Sequence, residues 1–419
     1  MNYIYFAINL LLFIFTLQSN SLTNAQKEPL AILWEVDDNK VPELLNIEKQ
    51  LIMVDGILQP LLDSSSFGGS YIDVMKNKLF INTLDFSKAK YISSLRGVKQ
   101  YNNLIEFKNA SNSLVELRSK FQKIRDLAQQ NLPKKVEIFI DMKENNVVVH
   151  IKRQLGDRKF IDAIMPFKPL ILFVTSQKQS SSSFNSTHPS ISKRDINNVI
   201  LGGDGLYNEA NGGICSTGLW ARDKVDPNVT FIISAGHCFD QSKSNSENLF
   251  HYVPWNQNQP LGLVGSAIFY SLGPHDFLII HVTGNIKPLS SIRNTDSILH
   301  KQLIISEVVP IYSHGAHICK SGYSTYVTCG YVKGLGATYI IDYTVMTDMI
   351  FADMINVPGD SGGCVFTYSQ DLNSVNLVGI ISSGNRGVKR NLISTIQPLK
   401  VILDTLDLVL VVLGQVVSV

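Results

Sequence analysis

Residues 358–364 read PGDSGGC. An acid, a hydroxyl and three glycines fall together on a segment with little helical or strand propensity. Taken alone, the stretch has two readings. One is a surface turn, because Gly, Asp and Ser are all turn residues. The other is a loop whose backbone N–H groups converge on a small anion while the serine holds its oxygen beside them.

Two upstream segments bear on that choice. SAGHC (residues 234–238) puts a histidine at the end of an apolar strand, next to a cysteine that can be bridged. PHDFLII (residues 274–280) puts an aspartate at the head of a strand expected to be buried, where a carboxylate without a partner is costly. A serine hydroxyl is a poor nucleophile at neutral pH and needs a general base; imidazole titrates in the right range. A carboxylate then holds the ring in the right tautomer and stabilises the imidazolium. In PGDSGG the glycines let Gly359 and Ser361 turn their N–H groups toward a developing oxyanion. Each residue alone has a duller reading, as a structural histidine or a turn aspartate. The order His237, Asp276, Ser361 within one half of the chain favours chemistry.

That half reads as all-β. Short apolar runs recur between Gly, Asn and Pro turns from about residue 198: TFIISA, LVGSAIFY, FLIIHV, LIISEVVPIY, YVKGLGATYIIDY, GCVFTY and NLVGIIS. Such spacing predicts a sandwich or barrel. The end, IQPLKVILDTLDLVLVVL, begins with helical spacing and becomes continuously apolar, and is expected to be a helix packed on the barrel. A lipid-anchor signal is the alternative, without a convincing polar spacer before it.

The first half differs. Residues 1–25 have an apolar run ending in small and polar residues, as in an export signal with a cut after Ala25. Residues 26–175 lack cysteine and carry a weak repeat: YIDVMKNKLFINTLD (71–85) and FIDMKENNVVVHIK (139–152) each read as strand, turn, strand after a helical stretch. Leu114, Leu117, Phe121, Ile124 and Ala128 give the second helix its apolar face, and Pro133 ends it. A small α+β domain is expected. Residues 176–194 are Ser-rich and fit a flexible linker, closing on the Lys193-Arg194 pair that a furin- or kexin-like protease would cut.

Composition narrows the function. Of 419 residues 45% are apolar and 17% charged, as in a globular protein, and the net charge of +2 argues for neither nucleic acid nor an anionic membrane as partner. Sequons at Asn109, Asn185 and Asn228 fit an exported chain. All five cysteines follow residue 214; spacing suggests Cys215–Cys238 and Cys319–Cys329 bridges, each stabilising by roughly 3 kcal/mol, and leaves Cys364 unpaired.

Together SAGHC, HDFLII and GDSGG resemble the three active-site segments of chymotrypsin-like serine proteases. The resemblance covers about residues 198–410 and implies a double β-barrel with its active site between the barrels. It makes His237 the general base, Asp276 its orienting acid and Ser361 the nucleophile. Within that family the chain looks most like the streptogrisin and α-lytic protease branch. CKSGYSTYVTCG (319–330) is similar to that branch's Cys-Arg-Ser-Gly…Cys-Gly hairpin, and GGDGLYNEANGGICSTG (202–218) to its mature start. The branch carries an N-terminal pro-domain that assists folding, which residues 26–175 would supply in cis. The protease domain would be residues 195–419.

The resemblance also has departures. Asp195, the candidate new N-terminus, lies well ahead of ILGG, so burial of that terminus is not expected. Lys320 stands where the branch has an Arg, so the expected partner of Asp360 is Lys320, without the bidentate fork. Cys364 is expected to be a buried, inert thiol. IISSGN (380–385) is similar to the strand that receives a substrate backbone, making Ser382, Ser383 and Gly384 substrate-binding residues. Ser383 often has Gly in its place, which implies a narrower pocket mouth. No acid stands where a Lys/Arg-specific pocket wants one unless Asp353 serves, so apolar or medium-sized side chains are expected before the cut bond. His314 and His317 near Cys319 lack a further ligand set for a metal. The reading is a secreted, monomeric serine endopeptidase zymogen acting on proteins or peptides, with no cofactor, metal or membrane anchor. A protease-like binding protein using the same cleft, or an adhesion protein with coincidental motifs, are the alternatives.

Overall fold

The computed structural model describes residues 27–151, 157–174, 199–295, 300–384, 392–405, 408–412 and 415–417. The expected signal, the Ser-rich linker, Lys193-Arg194, Asp195 and Asn185 lie outside them.

The N-terminal region begins with a short helix, α1 (Pro29–Trp34), and a longer one, α2 (Val41–Leu58). A hairpin follows, β1 (Phe67–Asp73) and β2 (Lys78–Thr83), then α3 (Phe86–Ser94) and β3 (Ile105–Asn109), which pairs in parallel with β2. The same order recurs in α4 (Leu114–Asn131), β4 (Lys135–Asp141), β5 (Asn146–Ile151), α5 (Arg158–Ile164) and β6 (Leu170–Phe173), with β6 parallel to β5. The repeat is therefore longer than its hairpins: each unit closes with a helix and a parallel strand. The start of α4 is a capping box, in which Ser113 Oγ accepts from the Glu116 N–H and the Glu116 carboxylate accepts from the Ser113 N–H. Its end is Leu132 in the left-handed conformation, one residue before Pro133.

The first barrel of the C-terminal half uses β7 (Gly205–Asn208), β8 (Ile214–Ser216), β9 (Leu219–Asp223), β10 (Thr230–Ser234), β11 (Leu249–Val253), β12 (Leu263–Ser271) and β13 (Phe277–Val282). Its strands read as continuous apolar runs because they are covered on both faces. Ile232, Leu278 and Ile280 point into the barrel with Trp220 and Phe250. Their neighbours Phe231, Ile233, Phe277 and Ile279 point the other way, into a core shared with the second half.

The second barrel is built from β14 (Ser291–Arg293), β15 (Gln302–Val308), β16 (His317–Gly322), β17 (Tyr326–Ile341), β18 (Thr344–Ala352), β19 (Cys364–Tyr368), β20 (Ser374–Gly384) and β21 (Ser394–Pro398). Ile318, Val332, Val365, Val378 and Ile396 fill it. The expected terminal helix is present as α6 (Leu399–Thr405), with Leu399 and Ile402 fully buried. The apolar run beyond it is not helix. It forms β22 (Leu408–Val412), which extends the first barrel's sheet by pairing with β9. A short run of Leu and Val does not separate helix from strand by periodicity, and the open edge of β9 decides the matter.

The two halves of the chain share a sheet. β4 pairs antiparallel with the far end of β17, with Ile138 opposite Thr338 and Glu137 opposite Tyr339. Helix α2 packs on the second barrel's other side through its buried stripe, which includes Glu48 and Asp55 as well as Leu45 and Leu51. No helix among the described residues is long and apolar enough to cross a membrane.

Candidate active site

His237 lies on a short turn directly after β10, and that turn is tied down by the Cys215–Cys238 disulfide. Asp276 immediately precedes β13, the strand paired to β10, and is fully buried. Register therefore carries the two side chains to the same end of one strand pair. The Asp276 carboxylate accepts from the His237 backbone N–H at 2.9 Å and meets ring Nδ1 at 2.8 Å. It also accepts from Ser382 Oγ at 2.5 Å. Three hydrogen bonds answer the cost of burying it. With Nδ1–H directed at a carboxylate, Nε2 is left as the basic nitrogen. Crowding by protein atoms works to lower the pKa of His237, but the charge of Asp276 and its hydrogen bond outweigh that and raise it above the ordinary imidazole value.

The PGDSGG loop is held by its aspartate. Asp360 is fully buried and accepts from the N–H groups of Ser324, Thr325 and Val357 and from Thr325 Oγ1. Lys320 Nζ, equally buried, stands 3.3 Å from Asp360 Oδ2 and donates to Tyr326 O at 2.9 Å. Burial pulls the Lys320 pKa down to about 8, against the opposing pull of Asp360. Ser216 Oγ donates to Gly359 O at 2.6 Å, and the Ser216 N–H to Ser361 O at 2.7 Å. Gly362 has φ +84°, and a Cβ there would meet Ser234 Oγ at 2.0 Å, so only glycine lets the loop lie this close to the segment bearing His237. The Gly362 N–H donates to Ile381 O, whose next residue is the Ser382 that binds Asp276. These contacts bring the loop, the histidine turn and β20 to one place.

Among the described residues, the N–H groups of Gly359 and Ser361 donate to no protein acceptor. Ser361 Oγ makes no hydrogen bond to His237 Nε2. In unliganded sites such bonds are commonly long and tighten around a substrate.

Family comparison now adds to this geometry. Residues 225–406 match the family described as Trypsin. This stretch is a trypsin-family domain. The chymotrypsin-like expectation is thereby borne out, and with it the enzyme class, a serine-type endopeptidase. Among solved structures, Thermobifida fusca Protease A is 20% identical with a TM-score of 0.41, over 51% of this chain and 98% of its own. Nocardiopsis protease is 21% identical with a TM-score of 0.41, over 50% of this chain and 98% of its own. An α-lytic protease homologue, N4, is 16% identical with a TM-score of 0.40, over 50% and 97%. No curated protein matches the chain.

Other sequence candidates in the trypsin-family domain fall as follows. Cys319 and Cys329 are bridged, and Cys364 is free, buried, and 2.6 Å from Gly218 O. Asp353 accepts from the Tyr331 N–H and lies 3.4 Å from Lys333 Nζ. His314 Nδ1 meets Lys333 O, and His317 Nδ1 meets Glu48; no group of three or more metal-ligating side chains occurs among the described residues. Ser383 is clamped by Asn356 Nδ2 on its carbonyl at 2.8 Å. Sequence reading gave Ser382 only a backbone role and overlooked Asn356. It also passed over Glu48 and Asp55, although two acids on the apolar stripe of α2 were a visible signal of polar partners.

Proposed function

We propose that the chain is a secreted serine endopeptidase made as a zymogen, with residues 26–175 as its pro-domain and maturation at the Lys193-Arg194 linker. The observation that carries the catalytic part is the buried Asp276 carboxylate bonded to His237 through Nδ1, which leaves Nε2 to act as base.

In this mechanism His237 Nε2 takes the proton of Ser361 Oγ as the oxygen attacks a substrate carbonyl carbon. The resulting oxyanion is received by the N–H groups of Gly359 and Ser361, each worth roughly 3 kcal/mol in the transition state. His237 then passes its proton to the departing amine, which leaves an acyl group on Ser361. Water, deprotonated by the same nitrogen, attacks that ester; the carboxylic product departs and Ser361 regains its proton. Asp276 orients the ring throughout by its bond to Nδ1. Residues Ser382, Ser383 and Gly384 would align the substrate backbone. Lys320–Asp360 holds the nucleophile loop.

Two disulfides suit an oxidising compartment. The β4–β17 pairing and the burial of α2 on the second barrel suit an N-terminal part that assists folding. A fluorophosphonate probe tests the enzyme: it should label Ser361 in the matured protein, and His237→Ala should abolish labelling. A binding protein would show neither. Coexpressing residues 195–419 with and without residues 26–194 tests the pro-domain, and equal yields of labelled enzyme would overturn that role.

A further inference from the structure

Ser383 is held from two directions. Asn356 takes its carbonyl, and on the side-chain side Tyr339 OH lies 3.0 Å from Ser383 Oγ. Tyr339 comes from β17, a strand that contributes nothing to the catalytic set, and it is almost fully buried. Phe139 and Val148 of the N-terminal region, Met346 and Phe351 of β18, and Ile393 pack in the same cluster. Lys135 Nζ stands 5.5 Å from the ring centroid. On either side its backbone is paired, to Glu137 of β4 and to Met346 of β18.

The β20–β21 ladder shifts register between Ile381 and Ser383, skipping Ser382 and resuming with Ser383 opposite Thr395. The bonds from Asn356 and Tyr339 add to the hold on Ser383 just after this break. The strand position next to it is Ser382, bonded to Asp276, so a displacement of Ser383 would be felt beside the catalytic carboxylate.

We propose that Tyr339 is a positioning residue for extended substrates: its hydroxyl anchors Ser383 next to the break in the strand's own pairing, and so sets the line along which a substrate backbone binds. This rests on the endopeptidase reading and on Ser382–Gly384 as the substrate strand. The hydroxyl touches no reacting atom. It acts through Ser383 alone, which distinguishes it from a specificity residue that contacts a substrate side chain.

The test uses enzyme matured from the full-length chain, with Tyr339→Phe, Ser383→Ala and the double variant, each first titrated with a fluorophosphonate at Ser361. KM and kcat are then measured on an extended peptide amide and on a single-residue ester. Tyr339→Phe keeps the ring and its packing, and should raise KM for the peptide by roughly three- to tenfold, the worth of one neutral hydrogen bond. The ester should change far less, because it does not span the strand. Ser383→Ala should give a similar rise, and the double variant should be no worse than the poorer single, since both remove the same bond. Multiplying effects, an equal rise for the ester, or an unchanged peptide KM with Ser361 still labelled would each overturn the proposal alone. Absence of labelling in the parent protein would overturn the endopeptidase reading and this inference with it.

Discussion

Glu48 and His317 form a buried carboxylate–imidazole pair across the junction of the N-terminal region and the second barrel. Glu48 Oε1 accepts the His317 backbone N–H at 2.7 Å, and Oε2 meets ring Nδ1. Nε2 of the same ring accepts the Tyr368 N–H at 2.9 Å, so the proton of the neutral imidazole sits on Nδ1, facing Glu48. One carboxylate from α2 thus satisfies two donors that the barrel cannot satisfy itself. Nearby, Asp55 of the same helix accepts from Ser313 Oγ at 2.7 Å.

Glu48→Ala should accordingly destabilise the uncleaved chain. It strands the His317 N–H and Nδ1–H in a dry contact, where the loss of hydrogen bonds to a charged group costs about 2–3 kcal/mol. The check is the urea midpoint of the full-length protein at constant m-value. A midpoint equal to the parent's would mean that water replaces the carboxylate.

The acid limb of activity follows from His237. The proposed mechanism needs its neutral ring, and the ring's pKa is raised above 6.5 because Asp276 outweighs desolvation. kcat/KM should therefore fall on acidification with a midpoint above that of free imidazole. In Asp276→Asn the opposing desolvation remains without the charge, so the midpoint should drop below that of the parent. The rate should fall by roughly 10⁴ as the wrong tautomer is held. Linkage has the opposite sense to activity: a raised folded pKa gives stability that is full below the unfolded pKa and is lost as pH rises through the folded one. A pH–rate profile of both proteins checks the pair of midpoints.

Among the described residues Cys364 is the only free cysteine, and burial pushes its thiol far above the ordinary range. It should resist iodoacetamide at neutral pH in the native protein and react within minutes in denaturant. Its Sγ lies where a Cβ on Gly202 would fall, 2.4 Å away, so the site is filled on both sides. Cys364→Leu should overpack it and cost about 1–3 kcal/mol, whereas Cys364→Ala leaves a small void. Mass spectrometry after alkylation reads the first claim and urea unfolding the second.

How far the sequence was legible depended on the range of each interaction. The barrel strands were visible because Phe231–Ser234 and Phe277–Ile280 are buried on both faces and so carry unbroken apolar runs. The segments around His237, Asp276 and Ser361 were visible because each places its chemistry within five or six residues. The β4–β17 pairing was not, since it joins residues some 200 positions apart and neither strand signals its partner. Nor was the bond from Tyr339 to Ser383, because a tyrosine in an apolar strand looks the same whether its hydroxyl has a partner or not. The parallel strands β3 and β6 were missed for a related reason: short edge strands after a helix carry little period-two pattern.

Lys320 ties stability and activity to alkaline pH. Buried beside Asp360, it has a pKa of about 8, lowered by desolvation from 10.5. A depressed folded pKa means that the folded chain releases this proton before the unfolded chain does. The group's contribution to stability is thus present above the unfolded pKa and is lost as pH falls through about 8. Activity should run the other way. Above that pH the neutral amine no longer balances Asp360, whose turn carries Ser361, and kcat/KM should decline. Lys320→Arg keeps its charge throughout and can offer a fork of donors, so it should abolish this alkaline limb and flatten the matching rise in unfolding free energy. Both are read from pH profiles of kcat/KM and urea midpoints between pH 7 and 10. An alkaline limb unmoved by the arginine would place the titrating group elsewhere.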